Sequence, residues 1–330
     1  MSKEGGKESM FSLLFPGQGS QKVGMGLDLY ESTPVKDLYK KVDSILGRDL
    51  TQIFMHGPEE ELNKTLNTQV AIVTISCVLS ILLKERLKEK KLPEIEVVSC
   101  TGHSLGEFSA LWYSGLMSFE ELIKIVSIRG NLMHNAPSGG MAAILNLQAE
   151  KIIEILKKYN YEADIVIANY NSPNQIVISG KKDSILKIEP MLTEAGAKYI
   201  SLPVSGAFHS PLMLESSNKF ISEIDKMNLL IKDNIKIPIY QNCDGRSSTS
   251  SQEIIAKLKK QMTSPVYWTQ IVNNIVTTGV TTFIEIGPGK ILTGLVKKIN
   301  KNLLCFNISD LESIENFIKI YESSLLKTNS

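Results

Sequence analysis

From residue 10 to Gly130, short apolar, β-branched runs alternate with stretches whose apolar side chains recur at helical spacing. Such alternation predicts a mainly parallel sheet covered by helices. The first strand is expected at residues 10–15, ending in the turn Pro16-Gly17-Gln18-Gly19-Ser20. A second is expected at 95–100, followed by a helix at 107–116. Between them, residues 70–83 form the longest apolar run and end in Lys84-Glu85-Arg86. That run is too short to span a bilayer and reads as a buried core helix with a solvated end.

The rhythm changes after the breaker Pro137-Ser138-Gly139-Gly140. Strands are predicted at 141–147, 164–169, 175–179 and 198–202, with helices at 149–159 and 182–195. This βαββαβ order is that of a ferredoxin-like split βαβ unit, closed by Pro203 and Gly206. It reads as an insertion, residues 139–206, into a larger core made of residues 10–138 and 207–330. The core then resumes with helices at 211–227, 251–262 and 266–278 and strands at 237–242 and 282–286. A Gly287-Pro288-Gly289 turn and a helix-rich tail follow. Residues 1–9 are polar and read as a disordered or cloning-derived leader, with neither a signal-peptide h-region nor an Arg-rich transit pattern.

Composition narrows the field. An apolar fraction of 43%, a charged fraction of 22% and a net charge of +1 describe an ordinary soluble globular protein. They give no electrostatic reason to expect nucleic acid or an anionic membrane as partner. At 330 residues the chain exceeds what one core usually supports, which fits a large domain carrying a smaller one. Cys77, Cys100, Cys243 and Cys305 are scattered, with no C-x-x-C pair and no histidine at ligand spacing. Four buried thiols in a reducing compartment, and no metal site, are the expectation.

The densest chemistry lies at Gly102-His103-Ser104-Leu105-Gly106. G-x-S-x-G between a strand and a helix is a nucleophile elbow, in which a sharp turn holds the serine at its apex. A serine hydroxyl needs a base within hydrogen-bond reach. Of the four histidines, His56 precedes Gly57-Pro58 in a surface turn and His134 sits at a helix end. His103 is adjacent to the nucleophile and its side chain is expected to point elsewhere, supporting the elbow. His209, in a loop just after the insertion, remains as the base. No carboxylate stands in an obvious position to orient it. Asp244 and Asp310 are candidates but read more simply as turn or cap residues, and a backbone carbonyl could serve instead. The oxyanion of acyl transfer calls for two N–H donors, one from Leu105 and one from the Gly17-Gln18-Gly19 loop. That loop lacks the Lys-Ser/Thr ending of a P-loop and the spacing of a dinucleotide fingerprint.

Together, the segments 15–21, 102–107, 206–210 and 285–289 resemble, in order, the malonyl-CoA:acyl carrier protein transacylases of type II fatty acid synthesis. Residues 169–173 and 265–268 add to the resemblance, which runs from about Met10 to Ile299. It implies an α/β fold with an α/β-hydrolase-like core, and malonyl transfer from coenzyme A to Ser104 and then to the phosphopantetheine thiol of an acyl carrier protein. It further implies His209 as base then acid, backbone N–H groups of Leu105 and Gln18 as oxyanion hole, and the Gln261 carbonyl orienting His209. Arg129 would bind the malonyl carboxylate, whose planar two-oxygen face suits a guanidinium. Phe208 would occupy the space of a methyl branch, with His103 also near the substrate. Gly206 stands where some polyketide relatives carry histidine, and Asn146-Leu147 where glycine is frequent. No cofactor is implied, and the chain is read as a monomer. A bacterial cytoplasm, or a plastid-like organelle or mitochondrion, would suit the family. A serine esterase and a non-catalytic carrier-docking module are the competing readings.

Overall fold

The computed structural model describes residues 10–227, 235 and 237–328; the expectation for residues 1–9 lies outside them. Ten strands are present among the described residues: β1 (Phe11–Phe15), β2 (Val97–Gly102), β3 (Gly140–Leu145), β4 (Ile165–Ser172), β5 (Gln175–Gly180), β6 (Lys198–Ser201), β7 (Ile239–Tyr240), β8 (Ser247–Ser248), β9 (Thr282–Ile286) and β10 (Leu304–Ile308). Six form the core sheet in the order β10-β9-β1-β2-β7-β8, parallel except for the β7–β8 pair. Helices cover it, so its central strands are buried on both faces: all five residues of β1 and of β9 are buried. The fold is α/β, as expected.

The helix Thr65–Glu89 extends well beyond the apolar run 70–83 at both ends. It is long and apolar enough to cross a membrane, yet 89% of its most apolar window is buried inside the protein. It packs on the helix Phe119–His134, where Gly130 permits the contact: a Cβ there would lie 3.1 Å from the Leu66 Cα. Gly130 is therefore an interior helix residue, and Arg129 caps no helix end. A capping box starts that helix, with Glu121 N–H donating to Ser118 Oγ at 3.2 Å and Ser118 N–H to Glu121 Oε2 at 2.6 Å.

The second sheet runs β4-β5-β3-β6, every neighbour antiparallel, which is the split βαβ topology. Its own apolar core includes Ile144, Ile152, Ile178 and Leu192. Two expected elements change. The helix 182–195 is two helices, Lys182–Lys187 and Glu189–Glu194, because Pro190 has no N–H to continue the first and sits instead in the first turn of the second. Strand β4 continues to Ser172, three residues past the expected end. Its backbone also pairs with the core: Tyr170 N–H donates to Val266 O at 2.9 Å and Val266 N–H to Ala168 O at 2.8 Å. Of the cysteines, Cys77 and Cys100 are buried, but Cys243 and Cys305 are only partly so, since they lie at a turn after β7 and on the edge strand β10.

The register of β1 against β2 places the functional loops side by side. Phe15 pairs with Gly102, so both strands end together and their following turns touch. The contact needs glycine at two places: a Cβ on Gly106 would lie 1.9 Å from Phe15 O, and one on Gly102 2.0 Å from the carbonyl carbon of Gly106. Gly106→Ala should therefore destabilise by about 3 kcal/mol or more, the upper range for forced overpacking. Gly294→Ala, on a helix with open space around the added methyl, should stabilise by about 0.5–1 kcal/mol. Urea unfolding of the two variants checks the contrast.

Candidate active site

Ser104 sits between β2 and the helix Gly106–Tyr113 with φ of +49°, a left-handed conformation that non-glycine residues rarely adopt. Side chains hold its backbone at both ends. Ser104 N–H donates to Asn242 Oδ1 at 2.6 Å, and Gln261 Nε2 donates to Ser104 O at 2.9 Å. Asn242 also donates from Nδ2 to Gly102 O at 2.8 Å, so one amide spans the turn. The strain is thereby carried by a closed set of hydrogen bonds.

The serine hydroxyl lies 2.7 Å from His209 Nε2. On the other side of the ring, Nδ1 is 3.1 Å from both Gln261 O and Ser264 O. Carbonyls only accept, so Nδ1 carries the proton and Nε2 presents a lone pair to the Ser104 O–H. The expected carbonyl of Gln261 is in place and is joined by that of Ser264. Gln261 was expected inside a helix 251–262; that helix ends at Leu258, and Gln261–Thr263 form a separate 3₁₀ turn whose carbonyl is free to face the ring. Asp244 pairs with Lys257 at 2.9 Å, and Asp310 accepts from Ser313 N–H, so neither carboxylate serves the histidine.

Arg129 is 1% exposed and its guanidinium points into the same space. Nη2 donates to Ser104 Oγ at 3.0 Å and to Gln261 Oε1 at 3.1 Å, while Nη1 donates to Gln69 Oε1 at 2.8 Å. Nε is buried with no acceptor among the described residues, leaving a donor available to a ligand. Burial lowers the Arg129 pKa to about 10, against the opposing pull of Glu107, so the group stays cationic at neutral pH. His209, 4% exposed, is pushed down to about 3 by burial first and then by the positive charge of Arg129. The ring is therefore neutral at physiological pH and ready to accept a proton.

A cavity of about 200 Å³ opens over these groups, lined among others by Gln18, Leu105, Met133, Met141, Val204 and Phe208. Both sheets contribute walls. Gly17 lies against the elbow, where a Cβ would be 2.4 Å from His103 O, which sets the Gln18 and Leu105 backbones on one rim. No acceptor for either N–H is found among the described residues. Phe208 is buried, and a Cβ at Gly206 would lie 2.6 Å from its ring, so the glycine at 206 is what lets the ring take this position. His103 points away from Ser104 Oγ, as expected. Its Nε2 meets Asn171 Oδ1 at 2.7 Å and its ring packs on Trp268, tying the elbow to β4.

The fold thus gathers Ser104, His209, Arg129, Gln261, Gln18, Leu105, Phe208 and His103 around one cleft. Asn242 and Gln69 were not foreseen. The carboxyl end of a parallel strand is where ligand sites lie, and Asn242 closes the strand expected at 237–242, just before the turn Cys243-Asp244-Gly245. For Gln69, the signal was a polar residue opening an otherwise apolar helix.

A strained serine with a neutral histidine at Oγ, two free N–H donors beside it and a buried guanidinium at its oxygen is the arrangement of a serine enzyme that works through an acyl intermediate. The acyl transferase domain family matches residues 12–319. The malonyl CoA-acyl carrier protein transacylase of Bacillus subtilis is 40% identical over 314 residues, covering 93% of this chain and 96% of its own. The crystal structure of the Clostridium perfringens transacylase of the same name aligns with a TM-score of 0.87 at 34% identity, covering 98% of this chain and all of that one. A malonyl-transacylase solved in complex with its type II PKS acyl-carrier protein aligns with a TM-score of 0.84 at 34% identity, covering 93% of this chain and 98% of that one. The chain belongs to the malonyl-CoA:acyl carrier protein transacylase family of acyltransferases.

Burial of a neutral His209 has a consequence for folding. The unfolded chain binds a proton at this histidine below about pH 6.5, whereas the folded chain does so only near pH 3. Its contribution is complete above pH 6.5 and shrinks as pH falls. Wild type should lose about 2 kcal/mol relative to His209→Gln between pH 7.5 and pH 5, read from urea unfolding at both pH values. An unchanged difference would mean a solvated histidine.

Proposed function

We propose that this enzyme moves a malonyl group from malonyl-CoA to the phosphopantetheine thiol of acyl carrier protein, supplying extender units for fatty acid synthesis. The observation that carries this reading is Arg129 donating to the nucleophile's own oxygen from a fully buried position. Ser104 Oγ attacks the thioester carbonyl while its proton passes to His209 Nε2. The oxyanion is held by the N–H groups of Leu105 and Gln18. As the C–S bond breaks, His209 returns the proton to the coenzyme A sulfur, leaving a malonyl ester on Ser104. The carrier thiol then gives its proton to His209 and attacks the ester, and the serine regains the proton as it leaves. No step in this scheme needs a metal or cofactor.

The malonyl carboxylate pairs with the Arg129 guanidinium, and a hydrogen bond to such a charged group contributes about 1.5–3 kcal/mol. This pairing also offsets the positive charge that weakens His209 as a base. Binding of the right acyl group thereby strengthens the catalytic base. Phe208 fills the space that a branched malonyl group would need. In this reading residues 139–206 are an inserted unit that supplies one wall of the cleft through Met141, Leu202 and Val204.

Incubation with malonyl-CoA should add one malonyl mass to the peptide containing Ser104, and wild type without that adduct would defeat the proposal. Arg129→Ala should cut malonyl transfer by about 10–100-fold, the equivalent of one charged hydrogen bond, while acetyl transfer persists or rises. Equal losses with malonyl-CoA and acetyl-CoA would assign Arg129 a structural role.

A further inference from the structure

Among the described residues Glu107 is the one carboxylate buried within the active-site hydrogen-bond network, and acyl transfer through Ser104 and His209 does not use it. It lies in the first turn of the helix after the elbow, is 1% exposed, and its pKa is raised by burial against the opposing pull of its hydrogen-bond donors and of Arg129. Its side chain turns back beneath the nucleophile. Oε2 accepts from Asn242 N–H at 2.9 Å and Oε1 from Gln241 Nε2 at 3.2 Å. Asn242 is the residue whose amide accepts from Ser104 N–H and donates to Gly102 O. A continuous chain of contacts therefore runs from the Glu107 carboxylate through Asn242 to the strained backbone of the serine. A carboxylate this deep is costly unless its lone pairs are satisfied by well-placed donors; here two donors belong to the loop after β7, the Gln261 side chain adds a third, and the Arg129 charge favours the ionised form.

We propose that Glu107 is a positioning residue: it anchors the turn after β7 so that Asn242 holds Ser104 at its left-handed φ, with Oγ aimed at His209 Nε2. This rests on Ser104 being the nucleophile, and not on which acyl group it carries. The Gln241 Oε1 atom has no partner among the described residues. In Glu107→Gln, the amide oxygen at position 107 keeps an acceptor for Asn242 N–H, while the amide nitrogen can donate to Gln241 Oε1 only if the Gln241 amide turns and gives up its bond to Ile254 O. Glu107→Gln therefore keeps the Asn242 arm of the anchor and weakens the Gln241 arm, and Glu107→Ala removes both.

The test reads the reactivity of Ser104 directly with diisopropyl fluorophosphate, a neutral reagent that needs neither Arg129 nor a carrier protein. The hydroxyl oxygen bonds to phosphorus, fluoride leaves, and the serine proton passes to His209. In Glu107→Ala, phosphorylation and malonylation of Ser104 should slow together by about 100-fold, the scale of a 1 Å misplacement of a reacting group. Malonyl-CoA affinity should stay within about threefold, so that the loss falls in kcat and not in KM. Glu107→Gln should recover to within about tenfold of wild type. Asn242→Ala should slow phosphorylation to a similar extent, and Glu107→Gln/Asn242→Ala should be no slower than Asn242→Ala alone, since both act on one contact chain. Additive losses in that double variant, or a folded Glu107→Ala that reacts at the wild-type rate, would overturn the proposal. Should Glu107→Ala not fold, Glu107→Asp, whose carboxylate is one methylene short of Asn242 N–H, takes its place both in the rate comparison and in the cycle with Asn242→Ala. Normal phosphorylation of wild type with no malonyl adduct would defeat the acyl-group assignment and leave this one standing.

Discussion

The site depends on holding one serine in a backbone conformation it would not choose. At φ of +49°, Ser104 turns the chain from β2 into the following helix within a single residue. Its hydroxyl is thereby projected into the cleft, and the next N–H lies beside it. Strain of this kind persists only where the surroundings over-determine it. Asn242 and Gln261 do so from opposite sides, each arriving from sequence more than 130 residues away. The glycines at 102 and 106 allow the helix to start directly above the strand and against the end of β1. The same contact that creates the elbow brings the Gln18 loop to its rim.

A second constraint is electrical. The cleft contains a cation, a histidine and an acid, all at most 4% exposed. Burial pushes the histidine toward neutrality and raises the pKa of Glu107, while Arg129 remains charged. A guanidinium survives this environment because its intrinsic pKa is so high. Gln69, Gln261 and Ser104 between them satisfy two of its nitrogens and leave Nε free. The residual positive charge is what a dicarboxylic half-thioester offers to neutralise, whereas a neutral ester would bring nothing for it to pair with. In the proposed reaction the same feature would select the substrate and adjust the base.

The two sheets divide the work. The parallel sheet delivers its functional loops at the carboxyl ends of β1, β2 and β7, where ligand clefts of open α/β sheets lie. The antiparallel sheet closes the cleft and is stitched to the core at the backbone of Val266 and at His103–Asn171. Ser264, whose carbonyl orients His209, is two residues from the first of these stitches. Strand β4 is thus part of the framework that positions the histidine, as well as one wall of the cavity.

Alternation of apolar runs, glycine-rich turns and the G-x-S-x-G spacing are short-range features, and they were enough to read the α/β class, the split βαβ order and the elbow; elimination among four histidines pointed to His209, which lies 2.7 Å from Ser104 Oγ. Local reading failed where a helix was cut by features outside its periodicity. Pro190 divided the helix expected at 182–195, and the 3₁₀ turn at Gln261 detached from the helix before it. Asn242 and Gln69 carried no pattern of their own, because a single buried amide is recognisable only by what it touches. Which groups meet was decided by the tertiary structure. The β1–β2 register aligned two turns, and loops distant in sequence supplied the partners of Ser104, Arg129 and His209. Hydrogen bonds reach only about 3 Å, and no rule of sequence spacing can place atoms that closely across a hundred residues or more.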